Sequence, residues 1–130
     1  MELNVISDQI FSDAAENAVA TLPDWVQKEL ENIIFVVEAF PDPDIQAQFA
    51  TESPYDLLGL YTGTPLPMRA AYYGFGNLPD IIHLYREPIL AYCEETGVTL
   101  ADCVRHVVVH EVGHYLGLSD ADMEEIENRP

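Results

Sequence analysis

The sequence predicts one domain that combines α-helices with a few short β-strands. Apolar residues recur at helical spacing in five segments. Four shorter runs are rich in β-branched and aromatic residues and are bounded by turn residues, which is typical of strands. A chain of 130 residues is long enough for a single modest core, so residues 1–130 are expected to form one domain.

The helices are predicted from apolar stripes and from their end signals. They cover residues 8–22, 24–31, 88–95, 99–116 and 120–128. Pro23 suits the first turn of the second helix, where Trp25 and Leu30 are expected in the core. Thr99 has the form of an N-terminal cap for the long helix, and Gly117 suits its C-terminal end.

The strands are predicted from short apolar runs between turn signals. They cover residues 33–37, 57–62, 70–75 and 80–86. The segment 42–53 is ambiguous and could form a short helix or an ordered loop. No internal repeat or low-complexity segment interrupts this order.

The most informative segment is residues 110–120, near the end of the long helix. His110 and His114 are four residues apart, so both imidazoles lie on one face of the helix and can reach one metal ion. Glu111 lies between them with the geometry of a general base. After the predicted helix end at Gly117, Asp120 can supply a carboxylate as third ligand.

Three protein ligands leave Zn²⁺ an open fourth position for water, as in catalytic sites. Asp122 competes with Asp120 for the third position, but the spacing from Gly117 favours Asp120. We therefore expect a zinc-bound water, activated by Glu111, to attack a carbonyl carbon. Peptide hydrolysis fits this apparatus better than any other reaction.

The sequence is also compatible with other interpretations. The histidines could be ordinary polar residues of an amphipathic helix in a domain without metal. Zinc could instead stabilise a non-catalytic binding or regulatory module, although such a site has no need of Glu111. A metal-dependent amidase or peptidase for a small molecule would use the same residues in a narrower pocket.

The segment His110-Glu111-x-x-His114-x-x-Gly117-x-x-Asp120 resembles the extended motif of metzincin-type zincin metallopeptidases. Aspartate as the third ligand is similar to the snapalysin variant. The small size, the tail Leu118-Ser119-Asp120-x-x-Met123 and the segment Gly59-Leu60-Tyr61-x-Gly63 resemble a bacterial family of minimal zincin-like metallopeptidases. The resemblance implies an α+β fold in which a small mixed sheet covers the active-site helix. It also implies that an edge strand, within residues 80–86, lines the substrate cleft.

The sequence departs from typical metzincins because the chain ends ten residues after Asp120. Only Met123 could underlie the metal, and it could equally be a core residue of the terminal helix. The motif does not identify the residue that would stabilise the transition state. The candidates are Tyr61, Tyr72, Tyr73, His83 and Tyr85. His106 lies one turn before His110 and could support the site or face the substrate.

The net charge of the chain restricts the classes of molecule that it can bind. The formal net charge is −18, with Lys28, Arg69, Arg86, Arg105 and Arg129 as the only cationic residues besides histidine. Such a surface repels nucleic acid and anionic membranes, whereas it could attract basic peptides or simply keep the protein soluble. The first residues lack a secretory signal, so the cytoplasm is expected. Cys93 and Cys103 then fit free thiols in the core better than a disulfide.

Overall fold

The computed structural model describes residues 8–65 and 79–127, with the side chains of Asp120, Ile126 and Glu127 outside the description. Its elements, in chain order, are α1 (Asp8–Ala20), α2 (Asp24–Glu29), β1 (Ile34–Glu38), α3 (Pro43–Gln48), β2 (Gly59–Thr62), β3 (Ile81–Tyr85), α4 (Arg86–Thr96), α5 (Leu100–Leu116) and α6 (Asp120–Glu127). This mixture of helices with one small mixed sheet confirms the predicted α+β class. The strand predicted at 70–75 lies outside the described residues.

The sheet has the order β1-β3-β2. β1 pairs with β3 in parallel, with Ile34 opposite Ile81, and β2 pairs with β3 antiparallel, with Leu60 opposite His83. The expectation that residues 80–86 form an edge strand is therefore wrong, because β3 has a partner on both sides. Among the described strands, β2 is the edge strand that contacts α5.

The core lies between α5, α1 and the sheet. Alternate residues of β3 point to this side, as expected for a strand with one face on the core. The buried cluster includes Phe11, Ala15 and Ala18 of α1, Ile82 and Leu84 of β3, and Val104, Val107, Val108 and Val112 of α5. Because α5 is held on two sides, the position of its polar residues relative to the sheet is determined by packing.

Both ends of α5 are capped by the residues that the sequence predicts. The Thr99 hydroxyl accepts a hydrogen bond from the Asp102 N–H (3.1 Å), which satisfies one of the free amides of the first turn. Gly117 has a φ of 73°, a left-handed conformation that glycine adopts without penalty. Both boundaries lie where the sequence places them, whereas α4 begins two residues before the predicted start at Pro88.

Trp25 was expected in the core, but its side chain is 55% exposed. The residues of this region that face the core are Leu22, Val26 and Leu30, which are four apart and therefore lie on one stripe. Trp25 is offset from that stripe by one residue, about 100° around the helix, so it faces solvent. The prediction for Leu30 is confirmed, since only 6% of it is exposed.

The cysteines are free thiols, as predicted. Cys103 lies in the core cluster and Cys93 packs against it. Burial raises the pKa of the Cys103 thiol to about 12, and the neighbouring Cys93 adds to the effect. Within the described ranges, the helices are all too short or too polar to cross a bilayer.

Candidate metal centre

Three polar side chains converge on one face of α5. His110, Glu111 and His114 each bring one ligand atom within 4.8 Å of the others. The two imidazole rings are 4.5 Å apart between centroids and meet edge to face at 69°. We call these three residues the α5 cluster. Their convergence follows from the helical repeat, which places residues three and four apart side by side.

Burial differs sharply within the α5 cluster. Glu111 is only 6% exposed, whereas His110 is exposed and the His114 side chain is 49% exposed. Glu111 Oε1 accepts hydrogen bonds from the Tyr61 N–H of β2 (2.9 Å) and from His114 Nδ1 (3.1 Å). A buried carboxylate needs such partners, because its desolvation is otherwise unfavourable. The carboxylate is thus held in place between two imidazoles that are open to solvent.

The approach of β2 to α5 depends on Gly59. A Cβ atom at this position would lie 2.5 Å from Val107 Cγ1 and 2.9 Å from the His83 carbonyl oxygen. Real Cβ atoms do not come that close to their neighbours, so any larger residue would push β2 away from α5. The Tyr61 amide, two residues later, would then lose its position beside Glu111.

Met123 of α6 packs against α5 from the other side. It is buried, and a Cβ atom on Gly113 would overlap its thioether. Gly113 directly precedes His114, so Met123 lies against the backbone of the turn that carries the α5 cluster. Met123 is therefore a buried residue that packs α6 against this turn, which confirms the core alternative for Met123.

Of the two aspartates that compete for the third ligand position, the structure describes the side chain of Asp122. Asp122 takes part in the cap of α6, where its N–H donates to the Ser119 hydroxyl (3.1 Å) and its carboxylate accepts from the Ser119 N–H (3.4 Å). Asp120 is the first residue of α6, and its side chain lies outside the description.

The candidates for transition-state stabilisation are distributed over both faces of the sheet. The Tyr61 ring packs on Tyr115 of α5, and its hydroxyl donates to Asp80 Oδ1 (2.6 Å). His83 and Tyr85 alternate with the core residues of β3 and therefore lie on the face away from α5. Tyr72 and Tyr73 are outside the described residues.

His83 belongs to a second polar cluster, which the sequence did not indicate. Its Nδ1 donates to Glu38 Oε1 (2.7 Å), and its Nε2 accepts from the Thr62 hydroxyl (3.0 Å). One residue comes from each strand, so this cluster exists only when the sheet has formed. We call Glu38, His83 and Thr62 the sheet cluster.

A cavity of about 250 Å³ opens beside the α5 cluster. Its lining consists of Leu57, Leu58, Gly59, His106, Val107, His110 and Glu111. His106 stacks at 6.4 Å from His110 and lines this cavity. The sequence did not identify Leu57 and Leu58 as residues of the cavity wall, because their position there depends on the contact between the 57–62 segment and α5.

The donor set of the α5 cluster fits zinc. The imidazoles of His110 and His114 supply nitrogen ligands that zinc accepts, and the Glu111 carboxylate lies beside them. Both histidines are solvent-accessible and close enough to share one ion. Glu111 is fixed by its own hydrogen bonds at the side of the pair, where it can act on a neighbouring molecule.

A family model described as zincin-like metallopeptidase matches residues 30–129, which are 100 of the 130 residues. The matched region begins just before β1 and includes the whole sheet and α3 to α6. No curated protein sequence matches the chain.

Proposed function

This chain belongs to the zincin-like metallopeptidases, and we propose that it is a zinc-dependent peptidase that cleaves peptide bonds at the α5 cluster. His110, His114 and Asp120 would hold the metal. Zinc, when bound there, supplies a Lewis acid for the hydrolysis of a carbonyl compound. The observation that carries the proposal is the buried Glu111 carboxylate, fixed by hydrogen bonds between two exposed histidines.

Glu111 is the proposed general base. The Tyr61 N–H restrains its Oε1, so the carboxylate has little freedom to turn away from the site. A base held in this way can take a proton from the attacking water and pass it to the leaving amine. A carboxylate serving only as a surface charge would not need burial and two hydrogen-bond donors.

Asp120 is the proposed third ligand. Gly117 reverses the chain after α5, and α6 begins three residues later at Asp120. The rival carboxylate of Asp122 is already engaged by the N–H of Ser119. This engagement supports Asp120 over Asp122.

The proposed substrate is a peptide or protein. The cavity beside Glu111 has apolar walls from Leu57, Leu58 and Val107, which suits a side chain next to the cleaved bond. A net charge of −18 favours basic over acidic substrates and disfavours nucleic acid and anionic membranes. The two free thiols suit a reducing compartment, so we place the activity in the cytoplasm.

The test is a peptide-library digest by the zinc-loaded protein and by Glu111→Gln. We expect Glu111→Gln to lose about 10²- to 10⁴-fold in cleavage rate, the usual contribution of a general base, while its zinc content is unchanged. Glu38→Gln is the matched control, because it changes the same side chain on the other face of the sheet.

Cleavage by Glu111→Gln at the rate of the unchanged protein would contradict the role of this residue. If neither protein cleaves any peptide and both hold zinc, the peptidase proposal fails. The alternative, a zinc-stabilised non-catalytic binding module, would then be favoured.

A further inference from the structure

A second cavity, of about 370 Å³, lies between the loop before β2 and helix α4. We call it the tyrosine groove. Its lining consists of Tyr55, Leu58, Pro88, Ala91, Tyr92 and Glu95. Tyr55 is 48% and Tyr92 42% exposed, so both rings are accessible to a ligand. The groove therefore presents two aromatic surfaces and one carboxylate to solvent.

The tyrosine groove adjoins the cavity beside Glu111. Leu58 lines both cavities, so the two lie on either side of this residue. The Leu58 carbonyl is held by the Tyr85 N–H (3.0 Å), which fixes this shared wall to the sheet. A substrate that follows this shared wall would reach from the α5 cluster to the groove.

The loop that carries Tyr55 is ordered by its own hydrogen bonds. Asp56 Oδ2 accepts from the amides of Glu52 (2.8 Å) and Ser53 (3.0 Å). The Tyr55 ring also packs edge to face on Phe40, with the centroids 5.1 Å apart. Because the loop and the ring are already fixed, a ligand would need little rearrangement to bind.

The chemistry of the groove matches a cationic side chain. Aromatic faces attract an ammonium or guanidinium group through the ring quadrupole, and an adjacent carboxylate adds a direct ionic partner. Tyr55, Tyr92 and Glu95 provide both kinds of contact in one place. The methylene stem of a lysine or arginine would lie against Leu58, Pro88 and Ala91.

We propose that the tyrosine groove is a subsite for a lysine or arginine side chain of the polypeptide whose peptide bond is cleaved at the α5 cluster. This inference rests on the proposed function and extends it to a substrate class. The cationic residue lies a few positions from the cleaved bond, on the side that passes over Leu58. The net charge of −18 draws basic substrates toward the protein, and the groove selects where the basic residue sits.

The test measures binding without cleavage. Zinc-loaded Glu111→Gln is titrated, by fluorescence anisotropy, into labelled peptides of about twelve residues that carry one leucine and one lysine at varied spacing. Matched peptides carry glutamine in place of lysine. We expect a preference of about fivefold for lysine at one spacing, on the order of a cation–π contact at a partly exposed site.

Adding Tyr55→Leu together with Tyr92→Leu, or adding Glu95→Gln alone, should reduce this preference to less than about twofold. Glu94→Gln is the matched control, since it removes the same charge from an exposed position of α4 outside the groove. It should leave the preference intact. Equal loss in Glu94→Gln and Glu95→Gln would show general charge attraction and overturn the subsite, as would groove variants that keep the preference.

The same peptides, given to the protein with Glu111 intact, separate this inference from the proposed function. A lysine preference in binding with no cleavage would show that the groove binds a cationic side chain and would overturn the peptidase. Cleavage that proceeds equally well with lysine and glutamine, and equally in the groove variants, would support the peptidase and overturn the subsite.

Discussion

The α5 cluster and the sheet cluster both pair a carboxylate with an imidazole, but they differ in which of the two groups is buried. Each joins a carboxylate to an imidazole by a short hydrogen bond. In the α5 cluster the carboxylate is buried and the imidazoles are exposed, whereas in the sheet cluster the His83 side chain is only 18% exposed. Both ring nitrogens of His83 are already engaged, by Glu38 and Thr62.

This difference separates a site that can accept a ligand from one that holds the fold together. A metal ion needs an imidazole lone pair that faces open space, and exposed histidines provide it. An imidazole that bridges a carboxylate and a hydroxyl has used its donor and its acceptor. We therefore assign chemistry to the α5 cluster and cross-strand stabilisation to the sheet cluster.

The largest expected effect is on zinc binding. His114→Ala should lower zinc affinity by more than about 100-fold, since the loss of a ligand exceeds the 10- to 100-fold effect of outer-shell changes. His83→Ala should leave zinc affinity unchanged, because His83 is on the other face of the sheet. Chelator competition measures both. An equal loss in the two variants would remove the functional distinction between the clusters.

The next effect concerns the support of the α5 cluster by α6. Gly113→Ala should destabilise the protein by about 1–3 kcal/mol, because the new methyl group overlaps Met123 in a packed core. Urea unfolding measures the change. The double variant with Met123→Ala should lose less unfolding free energy than the sum of the two single variants, since the new methyl group then has space. Strict additivity would show that Met123 does not press on this turn.

A smaller effect is expected in the sheet cluster. Thr62→Val keeps the side-chain shape but removes the hydroxyl that donates to His83. The free energy of unfolding should fall by about 1 kcal/mol, the usual net value of one hydrogen bond. Zinc content and peptide cleavage should be unaffected. A loss of cleavage in a folded Thr62→Val protein would connect the sheet cluster to catalysis.

The last effect appears only at alkaline pH and is absent near neutral pH. Burial, reinforced by Glu38, raises the pKa of the Tyr85 hydroxyl well above its usual value. Folding therefore favours the protonated phenol, and its contribution is complete below about pH 10 and lost as the pH rises above that value. The slope is at most about 1.4 kcal/mol per pH unit. Tyr85→Phe should unfold with a weaker pH dependence above pH 10, and an unchanged slope would contradict this assignment.

The sequence alone predicts the parts of the fold that depend on neighbouring residues. The ends of α5 are set by Thr99 and Gly117, whose effects act within one turn, and both predictions are confirmed. The convergence of His110 and His114 likewise depends only on the repeat of the helix. The assignment of Asp120 as third ligand remains a prediction, because its side chain is outside the description.

The predictions that failed depend on contacts between distant residues. The pattern of residues 80–86 predicts a strand. Its place in the centre of the sheet, however, depends on the pairing of β1 and β2 with its two edges. Trp25 is a typical core residue by composition, but the short α2 helix faces the core with Val26. Strand order and helix orientation follow from the packing of the whole chain, and local patterns do not carry that information.

The sequence by itself determined that α5 carries two histidines and a glutamate on one face, because helical geometry acts over four residues. Only the tertiary structure decided that Glu111 would be buried under the Tyr61 amide, since that contact joins residues fifty positions apart. The same holds for the sheet cluster and for the wall that Leu58 shares between two cavities. Local geometry selects the groups that can react, and packing determines which of them are held in place and which remain open to a ligand.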